Sequence, residues 1–304
     1  MSKVFFSRGK LLLSGEYFVL EGAQALAVPL KVGQYLSVEK NVQAKPEISW
    51  ETSINHKLWF MASFELNNLC IIDTSDLMIA KYLQKLLRII QRKSKVLADN
   101  QAVMIKSSLD FLPEWGLGSS SSLISNLAYW ADMDPYELLF SVSPGSGYDI
   151  ASARSETPIL YQRIEQPVIH PVRFMPDFMD NLYFVYLGKK QDSRKSVQQK
   201  RIFIQGKELD KKRISELTKF IAEAETLIEF EEYLNEHEAV VSKAIKQDSV
   251  KSKYFSDFKG SIKSLGAWGG DFVLATHRGD PKELKDYFKQ KGLEIIFPYK
   301  VLVI

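Results

Sequence analysis

The stretch "PEWGLGSSSSLISNLAYWADM", residues 113–133, contains two glycines separated by one residue, four consecutive serines and then apolar residues at helical spacing. A loop that binds phosphate needs small residues, because backbone N–H groups must approach the anion closely, and it gains from a helix that begins directly after it. Gly116, Gly118 and the serines meet these requirements. The stretch lacks the Gly-Lys-Ser/Thr of a Walker loop and the third glycine of a dinucleotide-binding loop. The alternative is a serine-rich helix start with ordinary capping.

The composition of the 304 residues is that of an ordinary globular protein, with 45% hydrophobic and 25% charged residues. A net charge of +3 gives no reason to expect nucleic acid or a membrane as a partner. The single cysteine, Cys70, excludes an internal disulfide and a cysteine-rich metal cluster. Because Arg8, Lys10 and Glu16 interrupt the apolar N-terminal stretch, we expect neither a signal peptide nor a transmembrane helix, and we expect a cytoplasmic protein.

The apolar patterns predict strands and helices that do not alternate strictly, which is typical of an α+β fold. The first third of the chain consists of short apolar or alternating runs, which predict strands. Residues 76–97 then change to helical spacing, and residues 211–235 predict one long amphipathic helix. The final "YKVLVI", residues 299–304, predicts a closing strand. Pro167 and Pro171 bracket a polar stretch, so we expect a boundary there. The two predicted lobes are residues 1–165 and 166–304.

Three further stretches accompany the serine loop in a fixed order. "GKLLLSGEYFVLEGAQALAVPL" begins at Gly9, "GSGYDIASA" spans residues 145–153, and "SLGAWGGDFVLAT" begins at Ser264. Together with the serine loop they resemble the motifs of the GHMP kinases, the superfamily named after galactokinase, homoserine kinase, mevalonate kinase and phosphomevalonate kinase. The resemblance implies a two-lobed α+β fold, with an N-terminal lobe like domain 2 of ribosomal protein S5 and a ferredoxin-like C-terminal lobe. It also implies ATP-dependent phosphorylation of a small molecule, with ATP and Mg²⁺ as cofactors.

The resemblance implies which residues bind the nucleotide and which residues take part in phosphoryl transfer. Ser120 would reach Mg²⁺, which neutralises charge on the transferring phosphoryl group. Asp149 would act as general base or orienting carboxylate for the acceptor, and Lys10 would lower the pKa of the acceptor or pair with Asp149. An aspartate that caps a helix and a lysine in solvent are the alternative interpretations. The residues that would surround the phosphates of ATP are Gly116, Leu117, Gly118, Ser119 and Ser120.

The acceptor site is implied by three parts of the chain. The segment "QDSRKSV", residues 191–197, resembles the Ser-Thr-Lys segment that meets the acceptor in mevalonate-type members. Its arginine and lysine would bind a carboxylate or phosphate, although a helix start with solvated cations explains them equally well. The residues expected to contact the acceptor are Glu16, Tyr17, Ser193, Arg194, Lys195, Gly269 and Gly270.

The sequence departs from the family pattern at two places that bear on function. Trp268 stands where the family usually has glycine, so we expect less room there for the backbone to approach the cleft. The glutamate that binds Mg²⁺ in mevalonate kinases proper, shortly before the catalytic aspartate, has no clear counterpart. Both departures raise the alternative of a catalytically silent ligand sensor. The retention of Lys10, Ser120 and Asp149 argues against that alternative.

The choice of acceptor depends on small differences between branches of the family. The Gly-Glu-Tyr around Tyr17, the "GSGYD" before Ile150 and the Gly-Gly-Asp that ends at Asp271 resemble the phosphomevalonate kinase branch. That resemblance implies phosphorylation of 5-phosphomevalonate in isoprenoid precursor synthesis. Mevalonate kinase, which usually has Gly-Glu-His at the first motif, is the alternative.

Overall fold

The computed structural model describes residues 3–42, 45–188, 193–266, 268 and 270–304, without the side chains of residues 193–198. Strands and helices are mixed along the chain, so the predicted α+β class is confirmed. The strands are β1 (Lys3–Ser14), β2 (Ala25–Asn41), β3 (Glu47–Ile54), β4 (Lys57–Glu65), β5 (Ile71–Thr74), β6 (Ala102–Leu109), β7 (Ile159–Arg163), β8 (Pro167–Pro171), β9 (Leu182–Tyr186), β10 (Ile262–Ser264), β11 (Phe272–Thr276) and β12 (Ile296–Pro298). The helices are α1 (Leu77–Lys93), α2 (Ser119–Ala131), α3 (Pro135–Phe140), α4 (Tyr148–Ala153), α5 (Ser193–Ile204), α6 (Glu208–Glu223), α7 (Leu227–Ile245), α8 (Val250–Tyr254), α9 (Pro281–Gln290) and α10 (Tyr299–Leu302).

The chain forms two compact units, and each is built from separate pieces of the sequence. The first unit contains the chain up to Gly9 together with Val32–Pro113 and Gly118–Gly145. The second unit contains Lys10–Lys31, Glu114–Leu117 and Ser146–Ile304. The predicted division of the sequence at residue 165 stays a prediction.

In the first unit, the strands follow the order β5-β4-β3-β6-β2. Strands β3 and β6 are parallel, and the other neighbours are antiparallel. Ile48, Trp50 and Ile54 of β3 are buried, because successive side chains of a strand point to opposite faces and one face covers the core. Helix α1 begins after Asp76, whose carboxylate caps the first turn, and ends at Lys93, within the range that the sequence predicts.

In the second unit, an antiparallel sheet has the order β10-β11-β9-β12. Strands β9 and β11 are buried along almost their whole length, as the density of aromatic and β-branched residues in "DNLYFVYLG" predicts for β9. Tyr183, Val185, Val273 and Phe288 belong to one core cluster on this sheet. Strand β7 pairs with β8 and with the first residues of β2 in the same unit.

The structure corrects two of the predicted elements. The single helix predicted over residues 211–235 is two helices, α6 and α7, because the Thr226 hydroxyl accepts a hydrogen bond from the Glu229 N–H and the Glu229 carboxylate accepts one from the Thr226 N–H. Such a capping box starts a new helix. The predicted closing strand is also wrong. Pro298 precedes helix α10, which buries Tyr299 and Leu302 at helical spacing. No helix among the described residues has the length and apolar character needed to cross a membrane.

Candidate active site

The predicted phosphate loop has the backbone that its glycines imply. Gly116 has a φ of 70°, and Gly118, which caps the start of α2, has a φ of 97°. Both values lie in the left-handed region, which glycine adopts without strain. Helix α2 begins at Ser119, directly after Gly118, so its first N–H groups have no partner within the helix and the positive end of its dipole lies there. This arrangement suits an anion such as phosphate.

The four serines of the loop divide into two pairs. Ser119 is half-buried and Ser120 is exposed, and the Ser120 hydroxyl lies 2.9 Å from the Tyr82 hydroxyl. Ser121 and Ser122 are buried, and the Ser122 hydroxyl donates to Gln34 Oε1 at 2.8 Å in the core of the first unit. The second pair of serines therefore packs inside the unit, whereas the first pair is accessible to solvent. The sequence alone does not distinguish the pairs, because all four have the same side chain.

The second unit brings Lys10 to the first half of the loop. The N–H of Lys10 donates to the carbonyl of Leu117 at 2.8 Å. The carboxylate of Asp271 also lies against this segment, because a β-carbon placed on Gly116 would be 2.5 Å from it. Any side chain at position 116 would displace this carboxylate. Asp271 itself has a φ of 50° and is buried. The Gly-Gly-Asp sequence could have indicated a position in the site, but by itself it distinguishes only between branches of the family.

Lys10, Tyr148 and Asp149 form the chemical centre of this unit. Tyr148 and Asp149 open helix α4, directly after Gly147 with its φ of 95°. The ammonium of Lys10 donates a hydrogen bond to Tyr148 Oη at 3.2 Å and lies 5.3 Å from the centre of the Tyr148 ring. Asp149 accepts a hydrogen bond from the N–H of Ile150 at 3.1 Å. Lys10 and Asp149 interact electrostatically, so the structure brings together the two residues that the resemblance assigns to catalysis.

The charges of these three groups follow from burial and from each other. Burial alone would lower the pKa of Lys10, but Tyr148, Asp149 and Asp271 outweigh it and raise that pKa. Burial raises the pKa of Tyr148 against the influence of Lys10. Burial likewise raises the pKa of the Asp149 carboxyl, and Lys10 opposes this rise. Lys10 is therefore positively charged and Tyr148 neutral near neutral pH, and Asp149 is a stronger base than an ordinary aspartate.

Comparison with solved structures identifies the fold. A Lin0012 protein from Listeria innocua matches with a TM-score of 0.72 at 17% identity, over 98% of this chain and 97% of that chain. The phosphomevalonate kinase of Streptococcus pneumoniae in complex with phosphomevalonate and AMPPNP matches with a TM-score of 0.71 at 18% identity, over 97% and 99%. The mevalonate kinase of L. major in complex with R-mevalonate has a TM-score of 0.66 at 16% identity, over 97% and 94%. The chain has the GHMP kinase fold. No family model matches the sequence, and neither does any curated protein.

Glu16, in the stretch that resembles the first GHMP kinase motif, belongs to a buried ionic cluster. The Lys263 ammonium donates to Glu16 Oε1 at 2.6 Å, and it also lies 3.3 Å from Glu238 Oε1. Burial raises the pKa of Glu16 to about 7 although Lys263 opposes this rise. The Gly15 N–H donates to Nε2 of the neutral His237, whose pKa burial lowers. Glu16 Oε2 and His237 Nδ1 have no hydrogen-bond partner among the described residues. The role of Glu16 as an acceptor contact stays a prediction.

The two stretches that resemble the first and third GHMP kinase motifs meet at Tyr17. Its hydroxyl accepts a hydrogen bond from the N–H of Trp268 at 3.1 Å. The indole of Trp268 is buried in a core cluster with Tyr17, Phe18 and Val241. Trp268 therefore anchors the third motif from within the core. The expected acceptor contact of Tyr17 stays a prediction.

The side chains of most of the remaining residues that are predicted to contact the acceptor lie outside the described part of the structure. Ser193, Arg194 and Lys195 form the first turn of helix α5, and their side chains are outside the described part. Gly269 is also outside it, and Gly270 lies in a buried bend before β11.

Proposed function

We propose that the chain is an ATP-dependent kinase that phosphorylates 5-phosphomevalonate. The observation that carries the kinase activity is the arrangement of Lys10 and Asp149, with the backbone of Lys10 bonded to the loop residue Leu117. A carboxylate that orients the acceptor and a positive charge beside it are what phosphoryl transfer requires from the protein, since most of the catalysis is positioning and charge stabilisation.

Each residue has a defined part in this reaction. Gly116–Ser120 binds the phosphates of ATP through backbone N–H groups. Asp149 orients the acceptor group and takes its proton where that group is a hydroxyl, while the acceptor oxygen bonds to the γ-phosphorus and the bond to ADP breaks. Lys10 stabilises the negative charge that develops on the transferred group.

The residues present fit a Mg²⁺ ion that arrives with the nucleotide. No group of three His, Cys, Asp or Glu side chains within the described residues could hold a metal by itself. Mg²⁺ commonly takes most of its ligands from substrate phosphates and water, with one or two from the protein. The exposed Ser120 hydroxyl at the start of α2 suits one such position. When bound, Mg²⁺ would supply charge neutralisation on the transferring phosphoryl group.

The choice of 5-phosphomevalonate is supported by the motif pattern around Tyr17, Asp149 and Asp271, and by the structural likeness to the S. pneumoniae phosphomevalonate kinase. We assign Arg194 and Lys195 to the phosphate of this acceptor, because guanidinium and ammonium groups bind phosphate well. Mevalonate is the second candidate, supported by the likeness to the L. major mevalonate kinase.

The test is an ADP-release assay with phosphomevalonate and with mevalonate, run on the wild type, Asp149→Asn and the control Asp257→Asn. Asp257 is a surface residue paired with Lys291. We expect turnover with phosphomevalonate, a fall of kcat by about 10² to 10⁴ in Asp149→Asn, and no change in the control. The affinity for AMPPNP, measured by calorimetry, should stay nearly unchanged in both variants.

Other outcomes would point elsewhere. Turnover of mevalonate alone would select the second candidate. A wild type that binds AMPPNP but turns over neither acceptor would support a ligand sensor. Normal turnover with damaged AMPPNP binding in Asp149→Asn would show that Asp149 is not the residue that acts on the acceptor.

A further inference from the structure

Tyr148 occupies a position that the family pattern leaves open, between the glycine and the aspartate of Gly-Ser-Gly-x-Asp. In this chain, its phenolic oxygen lies 3.2 Å from the Lys10 ammonium, and its ring centre lies 5.3 Å away. The two residues are 138 positions apart in the sequence. The contact therefore joins the first motif to the segment that carries Asp149.

Lys10 needs such a contact. A lysine side chain is flexible, and holding its ammonium in one place costs conformational entropy. Among the described contacts, Lys10 forms no direct ion pair with Asp149, so the carboxylate does not fix it. Tyr148 is well suited to this task, because it is the first residue of α4 and directly follows Gly147 in the left-handed region. Its aromatic side chain also has few rotatable bonds.

The phenol holds the ammonium without cancelling its charge. The groups that act electrostatically on Lys10 are Tyr148, Asp149 and Asp271. Burial raises the pKa of Tyr148, so it accepts the hydrogen bond as a neutral group. A carboxylate at position 148 would neutralise Lys10, whereas the phenol leaves its positive charge available to a phosphoryl group.

We propose that Tyr148 is a positioning residue for phosphoryl transfer, which holds the Lys10 ammonium beside Asp149 through its phenolic oxygen. The catalytic part of this inference rests on the proposed function. The effect of Tyr148 on Lys10 itself does not, so it can be measured without turnover.

The experiment compares Tyr148→Phe with the control Tyr299→Phe. The control removes another buried tyrosine hydroxyl of the same unit, which donates to the carbonyl of Phe174 at 3.1 Å. Trace labelling with acetic anhydride over a range of pH, read at Lys10 by mass spectrometry, reports the protonation of this lysine directly. In Tyr148→Phe the labelling midpoint of Lys10 should move to lower pH, because the acceptor that stabilises the ammonium is gone. In Tyr299→Phe it should stay in place.

The kinetic readout uses the same proteins with phosphomevalonate and ATP. Tyr148→Phe should lower kcat about tenfold, the usual effect of losing one hydrogen bond to a charged group, and leave the KM for ATP unchanged. The alkaline limb of its pH–rate profile should move to lower pH together with the labelling midpoint. An unchanged labelling midpoint would overturn the inference, and so would a full kcat with an unchanged pH profile. A separate outcome is a wild type without turnover, together with a labelling midpoint of Lys10 that still shifts in Tyr148→Phe. In that case the proposed function is wrong, and the inference that Tyr148 positions Lys10 is supported.

Discussion

At the scale of single residues, Glu16 shows how strongly burial acts on a charge. Its side chain is inaccessible to solvent and touches the Lys263 ammonium, yet its pKa is about 7 instead of the ordinary 4.5. Water solvates a carboxylate better than one shared ammonium does, since Lys263 also serves Glu238. The proton on Glu16 is thus bound more tightly in the folded chain than in the unfolded chain.

This difference makes the stability of the wild type depend on pH. A carboxyl whose pKa is raised by folding contributes its full stability below the pKa of the unfolded chain and loses it as the pH rises through the folded value. The contribution of Glu16 to the free energy of unfolding should therefore decrease between pH of about 4.5 and about 7, by on the order of 3 kcal/mol. The lowered pKa of the neighbouring His237 acts in the opposite direction. In Glu16→Gln, which cannot ionise, this contribution is missing, so the free energy of unfolding measured with urea should fall less between pH of about 4.5 and about 7 than it does in the wild type.

Glu236→Gln is the matched control for this prediction. Glu236 pairs with Arg213 on the surface, and this pairing lowers its pKa, so that its contribution is lost only at lower pH. The variant should keep the slope of the wild type. The same slope in Glu16→Gln and in the wild type would show that another group causes the pH dependence.

At the scale of elements, the start of α7 after the break from α6 is capped by two side chains. The Thr226 hydroxyl and the Glu229 carboxylate satisfy each other's N–H groups. Thr226→Ala should lower the free energy of unfolding by about 1 kcal/mol, because the first turn of α7 loses its cap. Thr226→Ser keeps the hydroxyl and should unfold at nearly the wild-type urea concentration. Equal losses in both variants would mean that the threonine methyl group, and not the cap, stabilises this turn.

At the scale of the whole molecule, nucleotide binding should raise the thermal stability. At an AMPPNP concentration of about 100 times Kd, mass action adds about 2.7 kcal/mol to the free energy of unfolding. For a chain of 304 residues this corresponds to a rise in Tm of about 4 °C. Gly118→Val should abolish the rise, because the side chain fills the space that the phosphates need.

The loss of AMPPNP binding in Gly118→Val must be separated from the backbone strain that a valine introduces at a positive φ. Gly206 has a φ of 76° and no neighbouring atom within 4 Å of an added β-carbon. Gly206→Val therefore introduces a similar strain away from the loop, and it should keep the rise in Tm. A Gly118→Val protein that melts cooperatively and retains the full rise would contradict the assignment of the phosphate loop.

The sequence predicts those parts of the molecule that depend on local patterns. The glycines and serines of the loop, the order of four motifs and the apolar periodicity of α1 suffice for the fold class and the superfamily resemblance. The sequence does not reveal that Lys10 contacts Tyr148 or that Lys263 contacts Glu16, because these pairs are 138 and 247 positions apart. The sequence also does not indicate that Asp271 lies against Gly116. Only the folded backbone shows that a β-carbon at position 116 would collide with this carboxylate.

Trp268 has a consequence for the detection of relatives. Comparison of a motif with its family usually treats each position separately, and in such a comparison Trp268 is scored as a lost glycine. In the structure, residue 268 contacts Tyr17, 251 positions away, through its backbone N–H, which any residue other than proline could donate, and its indole shares a core cluster with Tyr17. The part of this contact that requires tryptophan is the packing of the indole, because a glycine at position 268 would leave that volume of the cluster empty. A comparison that scores position 268 by itself therefore misses what the tryptophan contributes, which is packing in the core.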